Sequence, residues 1–474
     1  MTVSITGPVL ILDSVRDDTM RLAALFVAPA DTAPPPVETE DGTHHPEAIL
    51  SCGDRAVWRA RFDRPATSPS HYAWAGTRFD LAGAAAPDPR IAYVSCNGEE
   101  HGDLDRDPVE RNVIWARLGE HHREAPFALL IHGGDQVYAD EATDGHPASA
   151  GWPDAWPEDP ESDTLEDLRV HLRQRFFDRY HALYTAEGFR WLTARVPSVM
   201  QWDDHDICDG WGSLPRSAAR SSVGRLIFDV AREMALAFQH GTRDGDLPAR
   251  FADPDGSHLG WQVDLPGLRL LAPDLRSQRT RREIMGREGW DMVEDAARDG
   301  FAGRTLFISS VPLLGPRLSL LELLMVIVPK MQKYEDDLRD QWQSRAHRSS
   351  WRRMLQLCRR MAAPESAQVT VVSGEIHLAT RATMGLDRGK VLHQLVASGV
   401  SHPAPPVAWA RTLGTLATLG ESPLRGHPIR IHPLPGQSGR YTAQRNALIL
   451  DHEDGAMRAR WLLEESGPTP PLVL

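Results

Sequence analysis

Ala128-Leu-Leu-Ile-His132-Gly133-Gly134-Asp135-Gln136-Val137-Tyr138-Ala139-Asp140-Glu141 is the stretch that decides the fold of this chain. A short apolar run without polar alternation is how a strand buried on both faces reads. Two glycines end it and release the chain into a cluster of oxygen donors. Upstream, Ile91-Ala-Tyr-Val-Ser95 has the same texture, and a helical stretch from Val109 to His122 separates the two runs. Strand, crossover helix and strand make a parallel unit, so the core reads as α/β.

Working outward, three more apolar runs or strand-like pieces end in ligand-type residues. They are Ser95-Cys96-Asn97-Gly98, Trp202-Asp203-Asp204-His205-Asp206 and Ser373-Gly374-Glu375-Ile376-His377. Ligands in open α/β sheets gather at the carboxyl ends of strands, so the four tips are expected to converge. Between them the sequence predicts helices over Thr164 to Ala194 and Ser217 to His240, the second with Val223, Ile227, Val230, Met234 and Ala237 on one face. An Arg-rich helix is expected from about Asp340 to Met361, and strands at Gln262-Val-Asp-Leu265, Leu268 to Ala272, Thr305 to Ser310, Gln368 to Ser373, Asn446 to Asp451 and Ala459 to Leu463. Before the core, period-two pieces from Gly7 to about Leu81 predict a small β-sandwich-like N-terminal domain, residues 1–81. Ala82 to Arg90 reads as a linker, leaving 91–474 as the catalytic domain.

Composition sets the outer limits. The chain has 474 residues, 41% hydrophobic and 25% charged, which suits a globular protein with a sizeable core. Lys and Arg number 52 against 65 Asp and Glu, a net charge of −13, which argues against a polymeric nucleic-acid partner. The most apolar run, Leu318 to Val328, is interrupted by Glu322 and is well short of the roughly 20 residues a membrane span needs. It predicts a buried or pocket-lining helix. Four scattered cysteines and the lack of an export signal at the start fit a reducing cytoplasm, with no membrane association expected.

Clustered carboxylates repel one another and need a cation, so four such tips predict a dinuclear or multinuclear metal site at the top of a sheet. The motif order resembles the PhoD-like branch of the metallophosphatases, the alkaline phosphatase D family of the calcineurin-like superfamily. Gly134-Asp135-x-x-Tyr138, Asp203-Asp204-His205-Asp206 and Ser373-Gly374-Glu375-x-His377 carry the likeness, with Ser95-Cys96-Asn97 in place of the superfamily's first signature. Asp274-Leu-Arg276-Ser-Gln-Arg279 and Arg445-Asn446 agree with it. The resemblance implies a core of two central β-sheets flanked by helices. It also implies a phosphoric-ester hydrolase of alkaline phosphatase or phosphodiesterase type, acting on mono- or diesters by in-line attack of a metal-bridging hydroxide.

Residue by residue, the resemblance implies Asp135 as the bridging and catalytic carboxylate and Tyr138 as a phenolate ligand to iron. Cys96 would be a soft donor, and Asp204, Glu375 and His377 further metal ligands. His205 would act on the phosphoryl group or its leaving oxygen, and Asn97, Arg276 and Arg279 would bind substrate. A thiolate and a phenolate suit iron, whereas carboxylates suit calcium, magnesium or manganese, with zinc also compatible as the second metal. Either Asp203 or Asp206 is expected to orient His205. Two places depart from the pattern, Glu375 where the family has Asp, and Asp209-Gly210-Trp211 where some members carry Asn. The expected substrate is a small phosphate ester. The competing readings are a nuclease or cyclic-nucleotide phosphodiesterase, a single-metal lyase or oxidoreductase, and a non-catalytic binding protein with a degenerate site.

Overall fold

A computed structural model describes residues 5–316, 341–453 and 455–474. Leu318 to Val328 and Asp340, read above as helix, lie outside the described residues. At the centre of the largest sheet stand Ile91–Val94, Leu129–His132 and Ser198–Met200, mutually parallel and buried at every position. Full burial explains why these runs lack polar alternation: both faces must be covered. Helices Val113–Glu124, Ser162–Thr185 and Glu187–Thr193 follow from the sequence between them.

A second sheet runs in the order Trp261–Leu265, Leu268–Ala272, Arg304–Ser309, Gln368–Ser373, Val391–Val396, Ala379–Gly385, His427–His432, Glu421–Leu424, and its inner four neighbours from Leu268 to Val396 are parallel. Its pleat divides two cores. Leu270, Leu306, Ile308, Val372 and Leu395 pack into the large cluster shared with the first sheet, whereas Leu271, Phe307 and Val371 face the other way. That second core is completed by Trp290 and Val293 of helix Arg287–Arg298 and by Trp351, Met354 and Leu355 of helix Arg348–Met361. Cross-sheet bonds register the two layers: the Trp261 indole donates to Met200 O at 2.7 Å and the Trp461 indole to Val396 O at 2.8 Å.

The helix expected around Ser217 to His240 is Ser222–Phe238, with Val223, Ile227, Val230, Met234 and Ala237 buried as the 3.6-residue period requires. Ser221 caps it, its hydroxyl accepting from Gly224 N at 3.0 Å.

The first 81 residues divide between two sheets. Thr6–Arg16 pairs in parallel with Ser198–Met200, and Thr19–Pro29, Arg55–Pro65 and Glu47–Cys52 continue the same large sheet outward. Only Val37–Thr39, Gly42–His44, Ser70–Trp74 and Thr77–Leu81 form a separate four-stranded sheet. The physical reason lies in Val9 to Leu12, buried at four successive positions, so that this strand needs cover on both faces and belongs to the interior. Ala84 and Ala85 of the expected linker are packed, and Ala85 N donates to Ala66 O at 2.8 Å. No helix among the described residues is long and apolar enough to cross a membrane.

Candidate functional site

At three of the four strand ends the chain turns sharply. Cys96, Asp135, Glu375 and His377 all take positive φ, at 56°, 51°, 67° and 53°. Side chains pay on the order of 1–3 kcal/mol for such conformations, which concentrate where surrounding structure enforces them for function. Here the loops enforce one another: Cys96 N donates to Gly134 O at 3.1 Å and Asn97 N to Asp135 O at 2.8 Å. Glycine is required beside them. A Cβ on Gly133 would stand 1.9 Å from the Tyr93 hydroxyl, and one on Gly374 2.1 Å from Ser95 Oγ.

Asp135, Asp203 and Asp204 each present an oxygen, the three within 4.8 Å of one another, and all three residues are buried. Asp135 Oδ1 and Asp203 Oδ2 have no hydrogen-bond partner, and Asp204 Oδ1 makes none beyond an ion-pair contact with Arg276 Nη2 at 3.2 Å. Burial, then the Asp203 charge, pushes the Asp135 carboxyl well above its ordinary range, and burial raises Asp203 against the opposing Arg276. Buried acceptors left without donors are rare in native proteins. The chemistry of this donor set fits a hard cation, which would satisfy all three at once. Asp204, His205 and Asp209 offer a second such group on the solvent side, with Asp209 raised to about 6 by burial.

Cys96 Sγ lies 3.5 Å from Asp135 Oδ2 and 3.1 Å from Ser398 Oγ, fully buried, and burial raises its thiol. The Tyr138 hydroxyl meets His377 Nε2 at 2.9 Å, and its ring stacks on His205 with centroids 4.3 Å apart. Both Glu375 oxygens accept from Gln341 Nε2 at 2.7 Å. Asp135, Asp204, His205, Glu375 and His377 thus share the lining of one cleft of about 620 Å³. Cys96 and Tyr138 stand just behind it.

His205 is held by a residue that the motif reading passed over. Its Nδ1 lies 3.0 Å from each oxygen of Asp140, which also accepts from Asp209 N at 2.6 Å. Burial opposes a charge on this ring, but Asp140 and Asp204 override it and raise His205 well above the ordinary imidazole range. Neither residue expected to orient it does so. Asp206 accepts from the backbone N–H of Gln136, Val137 and Asp203 and from Gln239 Nε2, which fixes the loop. Asp203 is bound by Arg276 Nε and by the Ser310 hydroxyl at 2.7 Å.

The three residues expected to bind substrate stand elsewhere. Arg276 is 0% exposed, with Nη2 3.2 Å from Asp204 Oδ1 and Nη1 donating to Trp211 O at 3.1 Å. Its guanidinium holds the carboxylate loop together instead of facing the cleft. Arg279 is buried, its alkyl chain packed where a Cβ on Gly212 would meet it at 2.5 Å. The Asn97 carbonyl accepts from the Trp115 indole at 2.9 Å and from Ser401 Oγ at 3.0 Å, so this amide braces loops. Trp152 packs on Trp211 with ring centroids 6.4 Å apart.

His402 and Glu100 also reach the cleft and were not anticipated. The His402 ring stacks on His377 at 3.4 Å and its Nε2 lies 3.3 Å from Glu100. The available signal was another strand end, Val396-Ala-Ser-Gly-Val-Ser-His402, of the same texture as the four quoted tips.

A sequence profile of the family described as PhoD related phosphatase matches residues 103–334. That stretch holds Asp135, Tyr138, Asp204, His205, Arg276 and Arg279, and leaves Cys96, Asn97, Glu375 and His377 outside it. An uncharacterized protein of Saccharomyces cerevisiae, YGR266W, is 25% identical over 375 residues, which cover 65% of this chain. The chain spans about half the length of that relative, 52%. Among solved structures, one titled "Structure of PhoD" superposes with a TM-score of 0.60 at 12% identity, covering 99% of this chain and 88% of its own. GAP50, the anchor in the inner membrane complex of Plasmodium, gives 0.35 at 8% identity over 82% of this chain and 89% of its own, too low to bear on the fold. By sequence across residues 103–334 and by fold across nearly the whole chain, the protein is PhoD-like, as its strand-end motifs indicate.

Proposed function

We propose that the protein is a metal-dependent phosphoesterase that hydrolyses phosphate mono- or diesters. One observation carries the reading: Asp135, Asp203 and Asp204 crowd three buried carboxylates together, with oxygens of Asp135 and Asp203 left without a hydrogen-bond partner, beside a cleft that His205 also lines. The PhoD-related phosphatase profile over residues 103–334 supports the same reaction class. Asp135, Asp203 and Asp204 would hold the metal together with Cys96, Tyr138, Glu375 and His377. The thiol and phenol favour iron in one position, and the carboxylates favour calcium, manganese or magnesium in another. Such ions supply Lewis-acid charge against phosphoryl oxygens and activate water at neutral pH.

The chain's own residues do the rest. Asp140 fixes the His205 ring through Nδ1, which leaves Nε2 for the substrate. Flanking carboxylates favour the protonated ring, so Nε2 has a proton to give to the departing oxygen. Arg276 keeps Asp203 and Asp204 together at the floor, and Gln341 fixes the Glu375 carboxylate at the side. Tyr138 stacks under His205 and limits the tilt of its ring.

The test is hydrolysis of p-nitrophenyl phosphate and bis-p-nitrophenyl phosphate by the full chain, with metal content measured in parallel. About two metals per chain and turnover of at least one ester are expected. A metal-free preparation with full activity would refute the reading, and the ratio of the two rates assigns mono- or diesterase preference.

A further inference from the structure

The cleft holds far more than a phosphoryl group. Helix Val407–Leu416 contributes Trp409 and Leu413 to its lining, strand Tyr441–Thr442 contributes Tyr441, and the turns after Gln368–Ser373 and Arg304–Ser309 contribute Ile376 and Leu314. Ile376 and Trp409 edge the second hydrophobic core and remain only partly buried. Apolar side chains left open in a concave site, beside a few convergent polar groups, are the usual setting for the apolar part of a ligand.

We propose that the organic group of the phosphate ester is apolar, an aromatic ring system or a medium-length alkyl chain, seated on Leu314, Ile376, Trp409, Leu413 and Tyr441. This rests on the phosphoesterase reading, since a phosphoryl group on the carboxylate floor is what directs the organic group to that wall.

Dissociation constants of non-hydrolysable phosphonates, measured by calorimetry on the purified full chain, test it. Naphthylmethylphosphonate and octylphosphonate are expected to bind at least about tenfold tighter than 2-hydroxyethylphosphonate, given the apolar area each can bury. A tighter naphthyl compound identifies a ring as the preferred group, and a tighter octyl compound a chain. Equal affinities across the set would overturn the proposal. Leu413→Asn and Ile376→Asn should each shrink the apolar preference by about threefold or more; a preference unchanged in both would overturn the assigned wall. Turnover of 1-naphthyl phosphate and glycerol 2-phosphate separates the two readings. A binding preference without turnover of either ester fails the phosphoesterase reading, whereas turnover of both without a binding preference fails this one.

Discussion

Asp140 clasps His205 symmetrically, both carboxylate oxygens lying 3.0 Å from Nδ1, while Asp209 N donates to the same Asp140 at 2.6 Å. One side chain therefore sets the tautomer of the ring and ties it to the loop that follows. Asp140→Asn keeps the shape and removes the charge. It is expected to lower kcat by about 10- to 100-fold on p-nitrophenyl phosphate with KM nearly unchanged, a part of the roughly 10²–10⁴-fold that proton transfer by a positioned acid contributes. Steady-state kinetics check it; a rise in KM alone would count against the assigned role.

Asp135→Asn should abolish turnover of both nitrophenyl esters and reduce bound metal. In chelator-treated protein its effect on stability should reverse sign. Removing one of three crowded buried carboxylates relieves repulsion, so the metal-free variant should melt above metal-free wild type by about 2 °C. Calorimetric scans of the two chelated proteins decide this.

Tyr138→Phe removes the hydroxyl that meets His377 Nε2 at 2.9 Å. With iron in the site, wild type should show a visible phenolate-to-iron absorption band that the variant lacks, together with reduced iron content. Absorption spectroscopy and elemental analysis on the same samples provide the check.

His122 supplies a pH prediction away from the site. Its Nδ1 accepts from Phe127 N at 3.1 Å, and burial lowers its pKa from 6.5 to about 4. The unfolded chain therefore binds the proton more readily, so stability is full above pH 6.5 and falls as pH drops toward 4. The loss from this group is at most about 3 kcal/mol. His122→Gln should flatten the slope of denaturation midpoint against pH between those values.

Two substitutions test helix Ser222–Phe238. Ser221→Ala removes the cap bond to Gly224 N and should cost about 1 kcal/mol. Ile227→Ala, at a fully buried position, should cost about 2–5 kcal/mol. Denaturant midpoints of the two variants should rank in that order.

The strand ends are legible because the run before each is largely apolar and the residues after it are donors, a contrast that needs no tertiary information. Asp135, Asp204, His205, Glu375 and His377 indeed meet in one cleft. Arg276 was misread because a guanidinium near a carboxylate cluster reads equally as substrate ligand or as internal counter-ion. Only its 0% exposure decides between them. Asp140 was hidden among several carboxylates of one loop, where which one reaches His205 depends on side-chain direction. The N-terminal strands read as a separate unit because period and turn residues mark strands but carry no information on which sheet they join; the pairing of Ile11 with Ser198 spans most of two hundred residues.

The large sheet also sets an order of assembly. Strand Ile91–Val94, which delivers Cys96 to the site, is flanked on one side by Leu129–His132 and on the other by Asn446–Glu453. During synthesis the second neighbour emerges only after some 350 further residues have been made. Until then the strand beneath the donor cluster is an open edge with unpaired peptide groups, the kind of surface that recruits stray strands. Completion of the cleft and protection of that edge are thus the same late event, and a nascent chain stalled before Asn446 is expected to aggregate more readily than the full chain.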